Sequence, residues 1–285
     1  MTTLLAVPNI SEGRDAGLIA QIAEAFDAKR LDVHSDPDHH RAVITIAGRP
    51  GQLADAVLAG ARATIRRLRL DEHEGEHPRI GVLDVAPIVY LEQRDRGAAS
   101  AEALVLGDLL GTDLEVPVFL YGALGGGRTR AGVRRGGPRA LAQRISGGEL
   151  RPDFGPPRLH RTAGAVLVAA RPPLVAFNVE LAPTASVDDA KAIAAAVREG
   201  GPEGLPGVRA LGVWLAQRGV AQVSTNVEEP GTVPLAALIG AIARHSDIAE
   251  AELVGLAPGA AFEGFPDDVR VRNRATIEDA LAARE

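Results

Sequence analysis

The amino-acid sequence predicts an α+β protein made of two ferredoxin-like βαββαβ subdomains, each a sheet with helices packed on one face. Three observations carry this. The succession strand, helix, strand, strand, helix, strand occurs twice along the 285 residues. A break at Pro172-Pro173 separates the two copies and sets their boundaries at 1–173 and 174–285. The hydrophobic fraction of 46% is enough for a proper core.

Each element follows from local pattern. The apolar run Leu4–Val7 reads as a strand ended by Pro8. Leu18, Ile19, Ile22, Ala25 and Phe26 fall at helical spacing and predict a helix over Asp15–Ala28. Leu31–Val33 and Ala42–Ala47 read as strands around the turn-forming SDPDHHR. Pro50 opens a second helix over Gly51–Leu68, and the apolar run Ile80–Leu91 follows as a strand. A helix near Ala98–Leu110 and a strand at Val116–Tyr121 complete the half. Residues 125–157 turn glycine- and arginine-rich with little periodicity, which predicts a mobile or ligand-ordered loop with a short helix at Pro138–Arg144. Two apolar strands broken by Pro172-Pro173 lead into the second half. There the strands are Leu174–Leu181, Val208–Leu215, Ala221–Val227 and Ala251–Leu256, and the helices are Val187–Glu199 and Thr232–His245. Gln217-Arg218-Gly219 suits a tight hairpin turn between the middle strands. Trp214, the one tryptophan, is expected in the core.

Composition excludes several functions. The net charge of -6 argues against a nucleic-acid binder, although 29 of the 31 basic residues are arginine. Without cysteine there is no disulfide, thiolate metal site or thiol nucleophile. No uncharged apolar run approaches the ~20 residues of a membrane span, and the N-terminus lacks the basic region of a signal peptide. A soluble cytoplasmic protein is expected, and a homodimer is compatible with it.

The densest chemistry lies at 71–81, DEHEGEHPRIG. His73–His77 spells the H-x-x-E-H string of inverted zinc peptidases. That motif needs a helix to place both imidazoles on one face, and Gly75 and Pro78 oppose a helix here. No metal is therefore expected, and an acid/base site at the mouth of the following strand is favoured over a solvated loop. His34, Asp36, Asp38, His39 and His40 also read as loop residues in preference to metal ligands.

Seven segments in order, VPNISEGRD (7–15), SDPDHHRAVIT (35–45), GEHPRIGVLDVAP (75–87), VPVFLYG (116–122), PDFGP (152–156), LVAFNVEL (174–181) and GVAQVSTNV (219–227), resemble the formiminotransferase family. The resemblance runs from the first strand to about residue 256. It implies transfer of a formimino group from N-formimino-L-glutamate to tetrahydrofolate, which serves as co-substrate. It also implies the family's two-subdomain fold of ferredoxin-like type. In animals the family is often fused to a cyclodeaminase, and this chain ends too early for that, so it resembles a stand-alone transferase. The family's proposed catalytic base, the histidine of GEHPR, corresponds to His77. The loop 34–40 departs from the pattern: the family often has asparagine where this chain has His40.

Formimino transfer needs a group that takes a proton and returns it, a task suited to histidine. Glu76, Asp84 or Asp36 is expected to orient the base. Asn9 is expected to contact ligand, and Ser11 serves either as ligand contact or as helix cap. Arg41 and Arg79, each at a strand start, suit the donor's carboxylates. Arg128–Arg135 reads as a solvated loop or as a basic entrance for a polyglutamyl tail. Asn178, Gln222 and Asn226, strand amides among apolar neighbours, suit a pterin edge, with ligand placed at the subdomain junction. A glutamate formyltransferase and a non-catalytic folate-binding protein are the alternative readings.

Overall fold

A computed structural model describes residues 2–75 and 77–283. The chain divides into two compact units, residues 1–172 and 173–285. The chain passes between them at the prolines, where a missing backbone donor stops strand pairing.

In the first unit, strands β1 (Leu4–Ala6) and β2 (Asn9–Ile10) flank Pro8 in one line. Helix α1 (Ala16–Glu24) follows, then β3 (Lys29–Asp36), β4 (Arg41–Gly48), α2 (Leu53–Arg67) and β5 (Leu83–Tyr90). The β1/β2 line lies between β4 and β5, antiparallel to both, and β3 pairs with the outer side of β4. After α3 (Arg96–Asp113), β6 (Val118–Leu120) and later β7 (Val166–Arg171) extend the sheet, with β7 parallel to β5 and to β6. Leu4, Ile10, Ile44, Ile46 and Ile88 are fully buried and pack in one core with Ile22, Leu53 and Leu106 of the helices.

Several elements differ from expectation. Helix α1 ends four residues early because the chain turns at Ala25 and drops Phe26 into the core at 2% exposure. Its N-cap is Asp15, whose carboxylate accepts from Leu18 N at 2.9 Å. Helix α2 has no side-chain cap of its own. The buried Glu102 of α3 supplies one, accepting from Gly51 N and Ala54 N at 2.6 Å each.

The largest difference is the glycine- and arginine-rich segment, where α5 (Gly137–Ser146) matches the expected short helix but α4 (Arg130–Arg134) was not expected. Its glycines break the period that a sequence reading relies on, while side chains hold it in place. Arg128 bonds Asp153 at 2.5 Å, Arg144 donates to the carbonyls of Gly132 and Val133 at 3.0 and 3.2 Å, and Val133 and Leu141 are buried in a second cluster with Phe119.

In the second unit β8 (Val175–Leu181), α6 (Val187–Val197), β9 (Val208–Leu215), β10 (Val220–Val227), α7 (Leu235–Ala243) and β11 (Ile248–Val254) follow in that order. The sheet order is β12-β11-β8-β10-β9, where β12 (Val271–Arg272) adds in parallel to β11. Helix α8 (Ile277–Ala282) comes last. Alternation along β8 sends Val175, Phe177, Val179 and Leu181 into the core with α6 and α7. Trp214 lies on the edge strand β9 and is 41% exposed, so it is not a core residue. Among the described residues no helix is long and apolar enough to cross a membrane.

Candidate functional site

The first unit gathers its chemistry where β2, β4 and β5 begin or end. Two glycines allow the loops to meet there. A Cβ on Gly13 would lie 2.1 Å from the Asp36 carbonyl oxygen, and one on Gly75 would lie 2.7 Å from the His40 Cβ. Such distances admit only glycine. The SEG turn and the GEHPR loop are thereby both pressed onto the 36–41 turn.

On that turn Asp36 Oδ1 accepts from His39 N at 2.7 Å, closing an Asx-type turn. His40 stands in the left-handed region with φ 49°. Asparagine and histidine are both enriched there, so His40 meets the same backbone demand as the asparagine expected at that place. The His40 ring stacks on His73 at 4.1 Å between centroids, and its Nδ1 donates to Glu74 O at 2.5 Å. His73 Nε2 donates to His40 O at 2.7 Å. Burial pushes the His73 pKa down to about 4, and the nearby Arg79 and His40 add to this.

His77 turns the other way. Its Nε2 meets a guanidinium nitrogen of Arg41, and since arginine only donates, Nε2 is the acceptor and the ring is neutral with its proton on Nδ1. Crowding by protein, and then the charges of Arg41 and Arg134, hold its pKa well below the ordinary histidine value. The two histidines of the zinc-like string thus serve different partners. Among the described residues no three acidic or histidine side chains converge as metal ligands.

Arg41 joins the group together. Its second terminal nitrogen donates to Asn9 Oδ1, while Asn9 Nδ2 donates to Val7 O at 2.7 Å and fixes the amide's orientation. Burial and the neighbouring Arg134 lower the Arg41 pKa to about 9, so it stays charged at neutral pH. Asp84, buried on β5, accepts from Ile80 N at 2.8 Å and from Arg134 of α4. The inward turn of Arg134 onto Asp84 anchors α4 over the site. Among the described residues, Arg41 Nε, Arg134 Nε and the Tyr121 hydroxyl are buried without a hydrogen-bond partner.

The structure therefore brings Asn9, Arg41, His77 and Asp84 into one cluster. The other expected residues of this unit lie beside it in different roles. Ser11 Oγ donates to Gly81 O at 2.8 Å and ties the SEG turn to the start of β5, leaving the cap of α1 to Asp15. Arg79 donates to the carbonyls of His73 at 2.5 Å, Gly75 at 2.9 Å and His77 at 3.3 Å, clamping the loop that carries His77. Of the three acids considered as orienters of the base, Asp36 and Asp84 hold these other partners, and Glu76 lies outside the described residues. Arg134 and Arg130, read from the sequence as part of a solvated loop or a basic entrance, also join the cluster, and Tyr121 joins it unforeseen. The signal for Tyr121 was its place in VPVFLYG, directly after a buried strand.

In the second unit Asn178 on β8 and Gln222 and Asn226 on β10 share the sheet face opposite the core, since Ser224 pairs with Asn178 and Asn226 with Ala176. Asn178 Nδ2 approaches Glu252 at 3.5 Å. Beside it Arg218 and Arg272 both bond Glu180, and they also reach Glu250 at 2.7 and 2.8 Å.

Comparison with known proteins supplies a second line of argument. The family described as formiminotransferase domain, N-terminal subdomain, matches residues 3–171, and that described as formiminotransferase domain matches residues 176–264. The chain is 34% identical to the glutamate formimidoyltransferase of Thermoplasma acidophilum, covering 90% of this chain and 89% of that one. It is 33% identical to the glutamate formimidoyltransferase of Streptococcus pyogenes over 78% of this chain and 76% of the relative. Against the formimidoyltransferase-cyclodeaminase of Sus scrofa it is 34% identical over 88% of its own length, spanning 49% of that longer protein.

Proposed function

The chain belongs to the formiminotransferase family, and from that premise we propose that it transfers a formimino group from N-formimino-L-glutamate to tetrahydrofolate, with His77 as the acid/base group. The observation that carries this reading is the neutral imidazole of His77 held by Arg41 inside a cluster rich in guanidinium. We read residues 1–173 as the N-terminal subdomain bearing the base and 174–285 as the C-terminal subdomain. The antiparallel runs β3-β4-β1/β2-β5 and β11-β8-β10-β9, to which β7, β6 and β12 add in parallel, support a ferredoxin-like reading of each. We place its work in the cytoplasm, a reading that rests on the sequence alone.

The chemistry follows from proton positions. The N5 nitrogen of the folate attacks the formimino carbon, and a tetrahedral adduct forms. Neutral His77 takes the proton that N5 must lose. The imidazolium then gives a proton to the glutamate nitrogen, the carbon–nitrogen bond to glutamate breaks, and 5-formiminotetrahydrofolate and glutamate remain. A positioned group of this kind contributes roughly 10²–10⁴-fold. Adjacent cations make the imidazolium costly, which favours rapid return of the proton to the leaving nitrogen. Asn9 holds Arg41 in place, and Asp84 holds Arg134. In the second unit Asn178, Gln222 and Asn226 present amides on one strand face, an arrangement suited to the hydrogen-bonding edge of a pterin.

The test is a spectrophotometric assay with tetrahydrofolate and, in parallel, N-formimino-L-glutamate or N-formyl-L-glutamate. Turnover with the formimino donor is expected. Turnover with the formyl donor alone would reassign the substrate, and folate binding without turnover of either would make the protein a binding module.

A further inference from the structure

The transfer chemistry leaves one buried group at this site without a task. Tyr121, just after β6, is 6% exposed, and among the described residues its hydroxyl has no hydrogen-bond partner. Leaving a buried hydroxyl unpaired costs roughly 1–3 kcal/mol. The Arg130 guanidinium sits over its ring at 5.8 Å, and Arg41 lies close enough for the phenol to act on its pKa. Arg41 Nε and Arg134 Nε are buried and likewise unpartnered among the described residues. Three unused donors therefore share one neighbourhood, in which Asp84 is the carboxylate engaged by Arg134. Donors in excess and net positive charge call for an acceptor-rich anion. A carboxylate fits the planar fork of a guanidinium and accepts a phenolic proton as well.

We propose that Tyr121 is a substrate-positioning residue, whose hydroxyl takes a carboxylate of the amino-acid donor together with Arg41 and Arg134, and that this carboxylate draws Arg41 off His77 Nε2. The inference rests on the transfer reading for the identity of the donor; the anion site rests on the geometry. In the structure the lone pair that the base must use is engaged by Arg41. A carboxylate that captures the guanidinium frees that lone pair and offsets the positive charge beside the ring. Donor binding thus readies the base.

The experiment is calorimetric titration of L-glutamate, the proposed leaving group, into the wild type and Tyr121→Phe, with thermal unfolding of both. The wild type should bind, and Tyr121→Phe should bind about tenfold more weakly, the loss of one hydrogen bond to a charged acceptor. Its unfolding temperature should not fall, and should rise where the unpaired buried hydroxyl is costly, since the deleted oxygen has no protein partner to lose among the described residues. In steady state the variant should raise KM for the donor and leave KM for folate alone. Only Tyr90 and Tyr121 are present in the chain, so glutamate should also perturb the tyrosine absorbance of a Tyr90→Phe protein. Equal glutamate affinity in the two proteins, no binding by the wild type, an unmoved tyrosine spectrum, or a rise in folate KM instead would each overturn the proposal. A wild type that binds glutamate through Tyr121 yet transfers nothing would sink the reaction assigned above and the readying of the base, and leave the carboxylate site at Tyr121 standing.

Discussion

Both units place arginines against buried acids, yet the two clusters are built differently. In the second unit Arg218 and Arg272 bridge Glu180, Glu250 and Glu252, and Arg270 also reaches Glu250, so acids and arginines balance and each charge faces an opposite one. In the first unit Arg41, Arg130 and Arg134 surround His77, Asp84 is the carboxylate that Arg134 grips, and several donors have no partner among the described residues. In the second unit the buried Arg272 Nε makes no hydrogen bond, yet it lies 2.8 Å from Glu250, so the cation still faces a carboxylate and the network holds a sheet face together. In the first unit the excess of cations has no comparable set of carboxylates among the described residues, and unpaired buried donors are costly unless a ligand fills them, which is the basis of the site proposed above.

The comparison can be broken by substitution, and the largest effect should come from the first cluster. His77→Asn should lower kcat by ~10²–10⁴ while folate binding holds. His73→Asn should be mild, since His73 Nε2 bonds a loop carbonyl and its ring stacks on His40. Steady-state kinetics of the pair checks this, and equal losses at both would erase the distinction between them.

The second cluster should answer in stability. Arg272→Ala leaves Glu180 and Glu252, both 4% exposed at the side chain, short of a partner. Removing one member of a buried pair costs about 3–5 kcal/mol, with the low end expected here because Arg218 still reaches Glu180. Urea unfolding should show that loss while kcat changes little. A collapse of kcat at unchanged stability would make the closed network part of the catalytic site.

A subtler effect concerns pH. The groups acting on His77 are Arg41 from β4, Arg134 and Arg130 from α4, and His39 from the turn. Burial and their positive charge keep the His77 imidazole unprotonated, so if it is the base, kcat/KM should stay flat as pH falls through the ordinary histidine range. Arg130→Gln removes one cation, makes the imidazolium easier to form, and should move the acidic limb toward higher pH. A limb that moves the other way would mean that His77 is not the titrating base.

The smallest effect is expected at His73. Its folded pKa of about 4 lies below the unfolded value near 6.5. The unfolded chain then binds more protons between those values, so stability declines as pH falls from about 6.5 to 4. His73→Gln should flatten that slope in denaturation curves taken across the window; an unchanged slope would show that His73 is not its source.

Much of this was legible in the sequence, for physical reasons that differ by region. Period-two and period-3.6 patterns gave the β1–β5 and β8–β11 successions to within a few residues. Gly75 and Pro78 argued against a helix at 73–77, and none of the described residues there is helical. What stayed hidden depends on contacts distant in sequence. The cap of α2 comes from Glu102, some 50 residues on, and α4 is fastened by Arg134 to Asp84 across a comparable separation. Glycine-rich composition suggested a loose loop there because composition says nothing of such ties. The role of Arg79 was hidden likewise: a strand-start arginine suits a carboxylate equally well before its carbonyl partners are known.

The most direct measurement is a crystal structure of the protein with a stable folate analogue such as 5-formyltetrahydrofolate. The account predicts N5 within hydrogen-bond reach of His77, about 2.6–3.2 Å or one water further. A pterin lying more than ~10 Å from His77, far outside that reach, would contradict both the site and the reaction.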